Sequence, residues 1–458
     1  MTASTTVLPL PLTCFEEWMF WDDRPGHPMT GIFRMRFSGH LQRPAFETAV
    51  ARTVARHPLL RATVCCPRRG RPYWVDHTDW LPTVQWSANQ NDFGFPHAGH
   101  IDITQGPGTR FWVVDGDDGN DVILQIHHAC TDALGASRVM EDLLVAYAQE
   151  TGTSDHSPPL RELDEARLTD RGKPGLTLWR CARMIHHQAV GLLGVRKFLL
   201  RRPIPLVSTQ VALDESVNPS LFPSPYVVEL DRDETSRLLA CAKSLRVTVN
   251  DLLVRDAFLA IGGWRKEHGL GPSRDWLRLM IPISLLRNGD GAMPMANSLS
   301  AIFLDRRGCD FEDADRLLQS IVRQIQCTKR HQLQYTYILS LAVSRCGPGG
   351  LRRQTRADKC RSSCCFSNLG VVLDDVPLPR RDGRLVAGDV VLDSIDFVIP
   401  IRPHMHAAFC VYTYAGRLRM LMHFDPRVLS RDISRRLVDG LAKQLRSTIS
   451  TSDAPRLD

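Results

Sequence analysis

The run Ile126-His127-His128-Ala129-Cys130-Thr131-Asp132 brings two imidazoles, a thiol and a carboxylate into one short stretch. A neutral imidazole with a pKa of ~6.5 accepts a proton at physiological pH. His128, nearer the turn, is therefore the candidate general base for an attacking hydroxyl or amine. Asp132 has three readings: it orients His128, it pairs with an arginine that locks the loop, or it caps the following helix. Cys130 allows a Cys–His nucleophile, although its loop position accounts for it as well. The sequence contains no Gly-x-Ser-x-Gly elbow, Gly-Lys-Ser/Thr phosphate loop or His-Glu-x-x-His zinc helix. Covalent serine chemistry and metal hydrolysis thus have little support.

The flanking residues predict how the motif is held. Phe111–Val114 and Val122–Ile126 are apolar strands joined by the turn formers Asp115–Asn120. Beyond the motif, Val139, Met140, Leu143, Leu144 and Tyr147 share one helical face. The histidines therefore sit in a strand-to-helix turn. Upstream, the pattern predicts a strand at Gly31–Phe37 and a helix from Arg43 that Pro58 stops, then strands at Ala62–Cys65 and Tyr73–Val75. The second half repeats the mixture. It has a strand at Tyr226–Leu230 and a helix opened by Thr248-Val249-Asn250-Asp251. Strands follow at Leu277–Ile283, Ser298–Leu304, Val390–Ile399, Ala407–Tyr414 and Leu418–Phe424. A last helix spans about Ser430–Ser450.

With 458 residues and 43% hydrophobic content, the chain suits two globular domains of about 200 residues each. A net charge of +7, without a basic-aromatic stripe or zinc-finger spacing, disfavours nucleic acid. The 13 scattered cysteines, no secretory leader and no apolar run near 20 residues predict a reducing, cytoplasmic setting. Cys360, Cys364 and Cys365 fit no common zinc spacing and read as thiols; no metal is expected.

One segment stands apart. From Arg171 to Arg202 the basic residues Arg171, Lys173, Arg180, Arg183, Arg196, Lys197, Arg201 and Arg202 occur with no acidic residue, interleaved with apolar ones such as Trp179, Ile185, Leu192 and Leu199. It reads as a crossover helix between two domains with a solvated basic face; the same pattern suits a helix lying on an anionic membrane. His186-His187 lies mid-helix without a carboxylate at the matching offset and reads as incidental.

Four segments, in order, carry a resemblance. His127-His128-Ala129-Cys130-Thr131-Asp132 resembles the active-site motif of the condensation-domain-like acyltransferase superfamily, which includes peptide-synthetase condensation domains, chloramphenicol acetyltransferase and wax ester synthases. Arg56-His57-Pro58-Leu59-Leu60-Arg61 resembles its RHPxLR segment. Ile281–Arg287 with Asn297 resembles its PxxLR…GN region, and Ser367-Asn368-Leu369-Gly370 its SNxG segment. The likeness covers most of the chain. It implies an α/β fold of mixed sheets: two chloramphenicol-acetyltransferase-like subdomains, 1–175 and 221–458, joined through a basic linker at 176–220. It further implies a pseudo-dimer, expected as a monomer, with a central tunnel that a thioester enters from one face and an acceptor from the other. His128 is then the general base, His127 structural, and Asp132 structural and paired with Arg287; Asn297, Ser367, Asn368 and Gly370 lie near the tunnel. The implied co-substrate is acyl-CoA or an acyl or peptidyl carrier protein, with an alcohol or amine acceptor and no tightly bound cofactor. With no adenylation or carrier domain read in the sequence, the donor comes from outside. The basic segments 171–202 and 352–361 then become candidates for meeting CoA phosphates or an acidic carrier. The chain departs from the pattern at Ala133, where the family usually has glycine, and at Ala296. Ala133 opens the alternative of an inactive relative that recruits a partner, and Gly135 is a candidate to relieve the turn.

Overall fold

Two period-two patterns build the sheet that carries the motif. Thr30–Ser38 and Asn120–His127 pair antiparallel, with Thr30 opposite His127. Thr109–Asp115 completes the expected hairpin with Asn120–His127. The computed structural model describes residues 7–77, 79–87, 99–152, 158–172, 177–207, 225–270, 274–286, 290–357 and 359–452. Arg287, Lys173 and part of the expected linker lie outside them.

The fold is mixed α/β. The first sheet has seven strands in the order Arg380–Arg381, Arg384–Ala387, Val390–Val398, Thr30–Ser38, Asn120–His127, Thr109–Asp115, Val84–Ser87. The second has six, in the order Leu299–Arg307, Trp276–Ser284, Cys364–Val371, Ala407–Tyr414, Arg417–Phe424, Tyr226–Leu230. Helices Arg43–Arg56 and Ala133–Thr151 pack together in the first half, and Val249–Glu267 and Arg431–Ser452 in the second. Each half has its own apolar core.

The halves are not divided where the chain order suggested. Arg380–Val398, expected in the C-terminal subdomain, belongs to the first sheet, with Val391 opposite Ser38 and Val398 opposite Ile32. Its side chains, among them Leu385, Ile395 and Phe397, enter the first core. Burial drives this: an alternating strand is stable only where its apolar face finds a core.

Arg171 also corrects an expectation. It is not part of a solvated basic face but is buried, donating Nε and Nη2 to the two carboxylate oxygens of Glu16 at 2.7 and 2.9 Å. The basic stretch 352–361 turns partly inward as well. Arg352 lies over Trp21 at 5.1 Å, and Arg361 over Trp18 at 5.2 Å.

His406 and His423 are both buried, and burial pushes their pKa values down to about 4. The unfolded chain protonates them near ~6.5. Between these values the unfolded state binds more protons, so stability falls as pH falls through this window. Urea unfolding should show about 2–4 kcal/mol less stability at pH 5 than at pH 7; equal midpoints at the two pH values would refute it.

Candidate active site

Of the six residues His127–Asp132, five are buried and His128 alone keeps partial exposure. The strand delivers the histidines and stops there. The His127 amide donates to the Gly108 carbonyl at 2.7 Å and the His128 amide to that of Met29 at 2.7 Å. The next turn closes with the Cys130 amide on the His127 carbonyl, and helix Ala133–Thr151 begins at the cap residue Asp132.

His128 is oriented through Nδ1, which lies 2.9 Å from the Thr131 carbonyl oxygen. A carbonyl only accepts, so Nδ1 carries the proton and Nε2 presents its lone pair. The edge of Phe15 supports the ring, with centroids 6.0 Å apart. Burial holds the His128 pKa below the usual imidazole value, against the Thr131 carbonyl and the Asp132 charge, which favour the cation. The result is a base whose Nε2 has no hydrogen-bond partner among the described residues.

His127 is fully buried. Its Nδ1 accepts from the Ala129 amide at 3.0 Å, which places its proton on Nε2, 3.5 Å from Asp23 Oδ2. Asp23 also binds His100 and accepts from the Met29 amide at 2.7 Å. Burial would raise its pKa, but these partners outweigh burial and hold it well below the usual carboxylate range. The sequence reading missed Asp23 and the helix Cys14–Asp22 that ends beside it. Only the register placing Thr30 opposite His127 brings this turn to the motif.

Asp132 performs the capping role. Oδ1 accepts from Gly135 N and Oδ2 from Ser298 N, both at 2.8 Å. Burial raises its pKa despite these donors. The expected partner Arg287 lies outside the described residues. Asn297, expected near the tunnel, reaches the motif itself: its Nδ2 donates to the carbonyls of His128 and Ala129 at 2.7 and 2.8 Å. The Met295 amide donates to His57 Nδ1 at 3.0 Å. His57 Nε2 in turn lies 3.3 Å from Asp142 Oδ2, which also accepts from Arg56. The RHPxLR-like segment is thus a brace between the motif helix and the 295–298 segment of the second half.

Ala133 is the first residue of the helix and is not among the residues with positive φ. The departure from glycine, the feature that favoured an inactive relative, therefore forces no left-handed backbone on Ala133. Gly135 does not relieve a turn. It lies inside the helix, where a Cβ would sit 2.1 Å from Thr131 Oγ1 and 3.2 Å from the Ala296 carbonyl. Gly135→Ala is expected to destabilise the fold by about 1–3 kcal/mol through overpacking; an unchanged melting temperature would contradict this close approach.

Cys130 is fully buried, and burial pushes its thiol pKa far up. This disfavours the thiolate a Cys–His nucleophile requires. Among the described residues no group of three or more histidine, cysteine or acidic side chains is placed to hold a metal. Ser367, Asn368 and Gly370 lie on strand Cys364–Val371 of the second sheet. Asn368 Oδ1 accepts from Gly370 N at 2.9 Å, and Gly370 has φ +72°. No hydrogen bond among the described residues joins these three to His127 or His128. A cleft of ≈ 550 Å³ opens beside the first turns of the motif helix, between Leu134, Arg138 and Glu141 of the first half and Leu286, Val371 and Asp374 of the second. His128 is not among its lining residues.

The two-sheet architecture that holds this partly exposed histidine at the end of a central strand is the fold seen in condensation domains. The first condensation domain of the calcium-dependent antibiotic synthetase superposes with a TM-score of 0.71 and 14% identity, covering 98% of both chains. An uncharacterized protein of Mycobacterium tuberculosis is 25% identical over 386 residues, 80% of this chain and 84% of that protein. A linear gramicidin synthase of Brevibacillus parabrevis is 25% identical over 279 residues, 57% of this chain but 5% of the synthase. No family model matches the chain.

Proposed function

We propose that this protein transfers an acyl group from a thioester to a hydroxyl or amine. The observation that carries the reading is His128, the partly exposed member of a buried motif, with Nδ1 fixed by the Thr131 carbonyl and Nε2 free. In this reaction Nε2 takes the acceptor's proton as its oxygen or nitrogen bonds to the thioester carbon. The tetrahedral intermediate collapses, the carbon–sulfur bond breaks, and the imidazolium returns the proton to the leaving thiolate. No acyl-enzyme forms. His127, held between the Ala129 amide and Asp23, and Asp132, held by Gly135 and Ser298, position the base. The Ala133 N–H at the start of the motif helix is the donor proposed for a developing oxyanion. The donor is acyl-CoA or an acyl or peptidyl carrier protein.

The test is thiol release from acyl-CoAs, and from acyl carrier proteins, with mixed alcohols and amines present. Release that needs both the acceptor and His128 supports the reading. Absence of release from both donor classes overturns it.

A further inference from the structure

Among the described residues, helix Leu178–Leu200 meets the second half along one face. Met184, 3% exposed, packs with Leu285 and Tyr335. Gln188 accepts from the Thr336 hydroxyl at 2.9 Å, His187 meets His331, and Phe198 packs on Phe303. The rest of its surface carries six large apolar side chains: Trp179, Ile185, Leu192, Leu193, Leu199 and Leu200 are 57–70% exposed. Ile185, Leu192 and Leu199 recur every seven residues and form one exposed stripe. Exposed Arg183, Arg196, Lys197 and Arg202 flank it, and the sequence has no acidic residue from 171 to 207. Exposed apolar groups of this size and density mark an interaction surface.

We propose that this face docks the protein onto an anionic lipid bilayer, with the leucine stripe entering the acyl boundary and the cations resting on lipid phosphates. Three features select this occupant. Apolar residues flanked only by basic ones fit a negatively charged interface. No helix among the described residues is long and apolar enough to cross a membrane, so the helix lies on the surface. A second copy in a two-fold pairing would set Arg196 and Lys197 against the same cations without an acidic residue on the helix to balance them. The proposal does not depend on the acyl-transfer reading.

Sedimentation with vesicles of phosphatidylglycerol and phosphatidylcholine, against phosphatidylcholine alone, tests it. Wild type should pellet with the anionic vesicles and be released by high salt. Leu192→Glu with Leu199→Glu should weaken binding by more than about tenfold. Arg196→Glu with Lys197→Glu, which leaves the apolar stripe intact, should weaken it by about tenfold or more; circular dichroism confirms that both variants are folded. Three results would overturn the proposal: no pelleting at low salt, equal pelleting with both vesicle types, or self-association that the leucine variant abolishes while vesicle binding persists.

Discussion

Replacing His128 with alanine should lower turnover by ~10²- to 10⁴-fold, the usual contribution of a positioned general base. The fold should survive. The ring's hydrogen bond is to a turn carbonyl, and its partial exposure leaves no deep cavity on truncation. Circular dichroism and melting temperature should therefore change little while thiol release collapses. The pH profile gives an independent readout. Burial holds the His128 pKa below 6.5, so the neutral, active form persists below that pH and the acidic limb of kcat/KM should fall at an apparent pKa under 6.5. A variant that keeps the wild-type rate removes His128 from the reaction.

Asp132→Ala should act in the opposite place. It removes the acceptor for Gly135 N and Ser298 N, leaving two buried amides unpaired and the motif helix uncapped. Cap loss costs ~1 kcal/mol, and a buried hydrogen bond to a charged group ~1.5–3 kcal/mol. A loss of about 2–5 kcal/mol is expected, read as urea midpoint or melting temperature. Activity should fall as well, because Ser298 sits next to Asn297, which holds the His128 and Ala129 carbonyls. Asp132→Asn keeps an acceptor for one of the amides and should recover part of the stability. Full stability in the alanine variant would show that Asp132 is not the cap.

The motif and its flanking strand and helix were legible in the sequence because each rests on local signals: alternation, turn formers and helical periodicity. The strand Tyr226–Leu230, the Thr248 cap and the strand Ala407–Tyr414 fall at the expected residues for the same reason. What was not legible is long-range pairing. Alternation in Val390–Val398 shows that one face is buried, not that the partner is Thr30–Ser38. Arg171 reads as one more surface cation until Glu16, 155 residues away in sequence, is placed beside it. Asp23 gave no signal because its role depends on the register of two strands. Asn297 was reached only through the family resemblance, and its contacts give it a physical role.

The strand Val390–Val398 has a consequence for how the chain can be divided. It leaves the second half, completes the first half's sheet beside Thr30–Ser38, and the chain then returns to Ala407–Tyr414. Residues 1–175 alone would therefore end in an open edge at Thr30–Ser38, with its ladder groups unpaired and Phe33 stripped of Phe397. The two halves therefore share one sheet and one core, and a cut placed between them in the chain divides a folded unit instead of separating two modules.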